Sequence, residues 1–210
     1  MAEPADSLDE QVRAADPDRW LSSRFVDDPQ ARADLIVLYA FEAELMSIPT
    51  RVTQPLLAEM RYAWWREQMD GVFAGVARKG HPVLEALTDM VARRSLNRAP
   101  FDALIEAHID RVHGEEHDLT AFYVLPMQTA VQILAGGGHD LTVADAAKVW
   151  GHFQVGRAQE AEALRSGANR ALRSLPSKAF PGVAHAALKP DTPEPVKRLR
   201  LVWATLRGRI

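Results

Sequence analysis

The stretch Leu38–Phe73, LYAFEAELMSIPTRVTQPLLAEMRYAWWREQMDGVF, constrains the fold more than any other part of the chain. Its apolar residues recur every three or four positions, the period of an α-helix and not of a strand. Upstream, Asp28-Pro29 is a capping residue followed by proline at the first helical position, which starts a helix. Leu35, Leu38, Phe41, Leu45 and Ile48 form one stripe on that helix, and Ile36, Tyr39, Ala40, Ala43 and Met46 form a second. A helix apolar on two sides is expected at the centre of a domain. It is expected to stop near Ser47, because Pro49 has no N–H to continue the ladder. Thr53 and Pro55 open the next helix, expected to reach about Arg78 and to be two-sided as well. Tyr62, Trp65, Met69, Val72, Phe73 and Val76 share one face, and Leu57, Met60 and Trp64 share another.

The same punctuation runs through the rest. Helices are expected over Ser7–Ala15, Asp16–Arg24, Val83–Ser95 after His81-Pro82, Pro100–His113 and Ala121–Leu134. A long helix is expected from Thr142 to Gly167. Residues 1–6 read as a frayed tail, 186–193 as a proline-rich spacer and 194–208 as a basic amphipathic helix. No strand-like alternation interrupts the pattern. The fold class is therefore all-α, with one domain over 1–210 and roughly seven to nine helices packed as a bundle.

Composition narrows the function. Net charge is −3, with no basic tract, so nucleic acid is not expected as a partner. The chain has no cysteine, which removes disulfides, thiolate metal sites and cysteine nucleophiles. The acidic start MAEPADSLDEQ carries no apolar run of the secretory kind, and no stretch nears the ~18 apolar residues of a membrane span. A cytoplasmic location is expected. The helix at 194–208 has Leu199, Val202, Trp203 and Leu206 beside a row of Arg and Lys, a pattern suited either to docking on the parent domain or to peripheral contact of residues 196–207 with the inner membrane.

Three groups of residues could carry chemistry. His113-Gly-Glu-Glu-His117 matches the H-x-x-E-H form of a zinc hydrolase, but Gly114 sits where such a site needs regular helix, and the plainer reading is a solvated helix end. Glu42 and Glu44 lie on the central helix; two residues apart they point about 200° from each other and cannot share a metal. One is expected to be partly buried against an arginine, with Arg61 and Arg66 as candidates. On the late helix Trp150, Phe153, Arg157, Ala161 and Leu164 share a stripe, which would turn Arg157 inward near Gln154, either to pair with Glu42 or Glu44 or to cradle an anion.

RADLIVLYAFEAEL, LAEMRYAWWREQMDGVFAG, HPVLEAL and the late Gly156–Gln159 string together resemble the squalene/phytoene synthase family of all-α head-to-head prenyl synthases. The resemblance implies an isoprenoid-synthase fold, somewhat truncated. It also implies two aspartate-rich motifs holding Mg²⁺ against substrate diphosphates. Alignment on Tyr39-Ala40-Phe41 puts the first motif at Met46, Ser47 and Thr50, none of them acidic. The second falls on Gln159–Ser166, where only Glu160 and Glu162 keep acidic character. Within the family, YAFEAEL and EMRYAWWRE look like the complex I assembly factor branch, with Glu44, Leu45, Met60, Arg61 and Trp65 as branch-like positions. That implies a non-catalytic pseudoenzyme without a cofactor, bound to a protein partner or to an isoprenoid or other lipid-like ligand. The alternative is a degenerate, Mg²⁺-dependent transferase acting on isoprenoid diphosphates through Glu42, Glu160, Glu162 and Arg157.

Overall fold

The structure is a computed structural model describing residues 4–76 and 78–210. Among the described residues there are ten α-helices and no strand. They are α1 (Pro4–Ala15), α2 (Pro17–Ser23), α3 (Pro29–Arg51), α4 (Pro55–Phe73), α5 (Pro82–Arg94), α6 (Ala99–Val112), α7 (Leu125–Ala135), α8 (Asp140–Gln154), α9 (Ala158–Ala171) and α10 (Glu194–Arg207). A π-helical turn, Thr120–Val124, leads into α7, and three 3₁₀ turns between Leu172 and Ala187 fill the stretch before α10. Residues 1–3 of the expected frayed tail lie outside the described residues, and α1 already begins at Pro4. Much of the expected spacer, 186–193, belongs to or directly follows the last 3₁₀ turn, and Ala186 and Leu188 are buried.

α3 is the central helix. Asp28 accepts from the Gln30 N–H at its start, and residues Asp34 to Glu42 are buried without a break. It does not stop at Ser47 but runs through Pro49 to Arg51. Pro49 leaves the carbonyl of Leu45 without its helical donor. The buried Tyr62 hydroxyl on α4 donates to that same carbonyl at 3.2 Å, so the proline is absorbed by a neighbour and the ladder survives it. Asp34 pins α3 to α5: Arg93 and Arg94 donate to its two oxygens at 2.5 and 2.6 Å.

Two expectations about helix faces need correction. α4 is one-sided. Tyr62, Trp65, Met69 and Val72 are buried, whereas Leu56, Leu57 and Met60 are exposed; the helix ends at Phe73, short of the expected Arg78, and Val76 lies exposed beyond it. The α4 helix covers the bundle from outside, so only one stripe finds a partner. The long helix at 142–167 is two helices, α8 and α9, hinged at Gly156, whose φ of 76° an L side chain would resist. The break turns the Arg157 stripe out of register, and Arg157 ends up exposed as the residue before α9. Ala161 and Ala168 are its buried residues, and their small side chains let α9 pack back closely along α8.

Candidate functional site

A cavity of about 470 Å³ opens between the start of α2, the inner face of α3, α6, the π-turn, α7 and α8. That lies in the size range of small-molecule sites. Its wall is mainly apolar and aromatic, with Leu104, Phe122, Tyr123, Met127, Ala130 and Trp150 among the lining residues. The polar contribution comes from α2 and α3. Asp16 caps α2, accepting from the Arg19 N–H at 2.9 Å, which fixes the first turn. Arg19 Nε donates to Asp16 at 2.6 Å and Arg19 Nη1 donates to Glu42 at 2.5 Å. The guanidinium also lies over the Tyr39 ring, 4.6 Å from its centre. Tyr39 and Glu42, three residues apart on α3, thus meet one arginine.

The electrostatics follow from burial. Burial opposes charge on Arg19, but Glu42 and Asp16 raise it above the usual arginine range, so it stays cationic. Burial pushes Glu42 up despite the pull of Arg19. Burial works against Asp16 too, yet the charge and hydrogen bonds of Arg19 keep it below the usual carboxylate range. Two buried histidines line the same space. His185 stands edge-on to Trp150, and burial with Arg19 nearby pushes it down to about 3. His108 stacks on Tyr62, and burial with Arg111 nearby pushes it down to about 3 as well. Both are neutral imidazoles at physiological pH. Asp18, on the same wall, is held by Lys197 of α10 at 2.7 Å.

The residues expected from sequence divide in two. Tyr39, Glu42, Met46, Ser47 and Gln154 line the cavity, and of these Met46 and Gln154 are exposed. Thr50, Glu44, Arg61, Arg157, Glu160 and Glu162 do not. Thr50 is exposed and donates to the Ser47 carbonyl, one turn back on α3. Glu44 faces α1, accepting from Gln11 at 2.8 Å with Arg51 at 3.6 Å. Arg61 is on the exposed side of α4 and Arg66 pairs with Glu106, so neither meets Glu42. Glu160 is exposed. Glu162 pairs with Lys189 at 2.8 Å and Arg165 at 2.9 Å. The expected partner of Glu42, Arg157, is replaced by Arg19. Its only sequence signal was the i, i+3 spacing from the Asp16-Pro17 cap. Nothing in the sequence marks His185.

Neither metal position fits a divalent cation. Met46, Ser47 and Thr50 offer a thioether and hydroxyls where Mg²⁺ needs several carboxylate oxygens, and Glu160 and Glu162 are off the cavity. Among the described residues no three His, Asp or Glu side chains stand together so as to hold a metal. The zinc motif is dispersed as well. α6 ends at Val112, Gly114 takes φ 88°, His113 lies 3.5 Å from Glu59 and His117 stacks on Phe122.

The sequence profile of squalene/phytoene synthases matches residues 12–123, more than half of the chain and the part that supplies α2, α3 and most of the cavity wall. The chain belongs to the squalene/phytoene synthase family. No curated protein matches it. Among solved structures it is similar to "Crystal structure of squalene synthase HpnC from Alicyclobacillus acidocaldarius", at 17% identity and a TM-score of 0.70, over 98% of this chain and 94% of that one. At that identity the match speaks to fold, which is the all-α isoprenoid-synthase fold expected from the helix pattern. The 94% coverage leaves little shortening relative to that synthase.

Proposed function

We propose that this family member is a non-catalytic binding protein, whose cavity takes a lipid-like ligand without the prenyl-transfer reaction. One observation carries the reading: a cavity of about 470 Å³ is present, while the carboxyl groups on its wall, Asp16, Asp18 and Glu42, are tied to Arg19 and Lys197 and form no metal-holding cluster among the described residues. Ionising a prenyl diphosphate needs that charge neutralised. The discriminating assay is pyrophosphate release from prenyl diphosphates in the presence of Mg²⁺, and none is expected. Release would favour the degenerate transferase built on Glu42, Glu160, Glu162 and Arg157.

Its most specific form is a factor for assembly of respiratory NADH dehydrogenase. The strings YAFEAEL and EMRYAWWRE support it, and so does the placement of Met60 and Arg61. These two branch-like positions are exposed on α4 beside Leu56 and Leu57, where a protein partner can reach them. Deleting the gene is expected to lower NADH dehydrogenase activity and assembled complex together; unchanged levels of both would rule this form out.

Peripheral membrane contact fits the same role. No described helix is long and apolar enough to cross a membrane. α10 presents two opposed faces instead. Leu201 and Ala204 are buried and Lys197 reaches Asp18, while Val196, Leu199, Trp203 and Leu206 are exposed on the far side. Arg198, Arg200 and Arg207 flank that outer stripe. An apolar band edged by arginines suits an anionic lipid surface.

A further inference from the structure

The chemical class of the ligand can be read from the charge balance of the cavity; this inference rests on the cavity being a binding site. Among the described lining residues, Arg19 is the only permanent cation, facing the carboxyl groups of Asp16, Asp18 and Glu42. Two of its donors are already committed, to Asp16 and Glu42. Lys197, the one further cation near this wall with a bond to it, is taken by both oxygens of Asp18. A diphosphate would therefore bring several negative charges to a wall whose lining residues carry three carboxyl groups against one arginine. Such a burial is strongly unfavourable.

The same wall is rich in unmet hydrogen-bonding capacity. Tyr39 Oη, Glu42 Oε1, His108 Nε2, His117 Nε2 and His185 Nδ1 are buried and have no partner among the described residues, and all five side chains line the cavity. Tyr39, Glu42, His108 and His185 are each at most 4% exposed. Buried polar atoms are nearly always bonded, so five orphans on the residues around one space mark what its occupant must supply. Burial raises the Tyr39 phenol and keeps it protonated, leaving it a donor. Glu42 Oε1 is an acceptor whenever the carboxylate answers Arg19. The two sit one turn apart on α3, and a hydroxyl, which both donates and accepts, has the hydrogen-bonding character that matches both.

We propose that the cavity binds an uncharged apolar molecule through a hydroxyl headgroup held at Tyr39 and Glu42, and that it discriminates against the corresponding diphosphate.

Calorimetric titration of the full chain with farnesol and with farnesyl diphosphate, in the same buffer without metal, tests this. Farnesol is expected to bind in a one-to-one ratio and at least roughly tenfold more tightly than the diphosphate, the margin of a single good polar contact. The decisive variant is Tyr39→Phe. The Tyr39 hydroxyl has no partner among the described residues, so its removal breaks no bond among them and the fold is expected to be preserved. It is expected to weaken farnesol about five- to tenfold and leave the diphosphate unchanged. Tighter binding of the diphosphate would overturn the inference while leaving the cavity a ligand site. Farnesol affinity unchanged in Tyr39→Phe would overturn the headgroup position. Binding of neither compound would overturn the inference together with the cavity reading it rests on.

Discussion

Arg19→Met is expected to destabilise the chain by about 3–5 kcal/mol, the cost typical of removing one partner from a buried ion pair. At this chain length that lowers the unfolding midpoint by roughly 6–20 °C. The reason is local. Glu42 is 4% exposed and Arg19 is its one hydrogen-bonded partner among the described residues, so methionine would leave the carboxylate buried beside Asp16 with no compensating charge. Glu42 would respond by taking up a proton, which limits the loss. The double variant Arg19→Met/Glu42→Gln is therefore expected to recover part of the stability, with a coupling of about 1–3 kcal/mol in a double-mutant cycle. Thermal melts of the wild type, both single variants and the double variant measure it. An Arg19→Met chain within about 1 kcal/mol of wild type would mean that the triad does not organise the α2–α3 contact. The Asp34–Arg93–Arg94 cluster, in which both arginines reach solvent, would then be the main polar tie of α3.

The second large effect concerns α10. Trp203 is 51% and Leu206 77% exposed, so replacing both by serine removes apolar surface from the outside of the helix without opening the core formed by Leu201 and Ala204. Burying two such side chains in a lipid interface contributes roughly 2–3 kcal/mol in total for their exposed portions. The pair Trp203→Ser/Leu206→Ser is expected to weaken sedimentation with vesicles containing an anionic phospholipid by about 30- to 100-fold. Wild-type binding is expected to fall as salt screens Arg198, Arg200 and Arg207, and to be weak on vesicles of zwitterionic lipid alone. Equal binding of wild type and variant, or none by wild type, would remove the membrane from this account.

The central architecture was legible because α3 carries its information locally: a cap, a proline and two apolar stripes, with Leu35, Leu38, Phe41, Leu45 and Ile48 all buried as their spacing implies. The outer face of α4 was not, because Leu57 and Met60 have helical spacing whether or not another element covers them. Spacing reports which residues share a face; only tertiary packing decides which face is covered. The α8–α9 break had a signal in Gly156, but a glycine inside a helical pattern is compatible with continuation, and the positive φ is visible only in the fold.

The candidate site was half legible for the same reason. Tyr39, Glu42, Met46 and Ser47 reach the cavity from one helix whose register is fixed by its own sequence. Arg19 and His185 come from segments 23 residues before and far after Glu42, and their convergence is a property of the chain's path. The pairing of Glu42 with an arginine was foreseen in kind. The identity of that arginine was not: Arg61 and Arg66 were candidates only as arginines of the next helix, and Arg157 had helical spacing that pointed inward until the Gly156 hinge turned it out.

The claim that joins these results is that this squalene/phytoene synthase family member keeps a cavity without the reaction. Incubating the purified chain with farnesyl diphosphate and Mg²⁺, and following released pyrophosphate, tests it most directly. The account predicts no release above a protein-free control and no condensed hydrocarbon product. Release that rises with protein concentration and stops when the metal is chelated would contradict it.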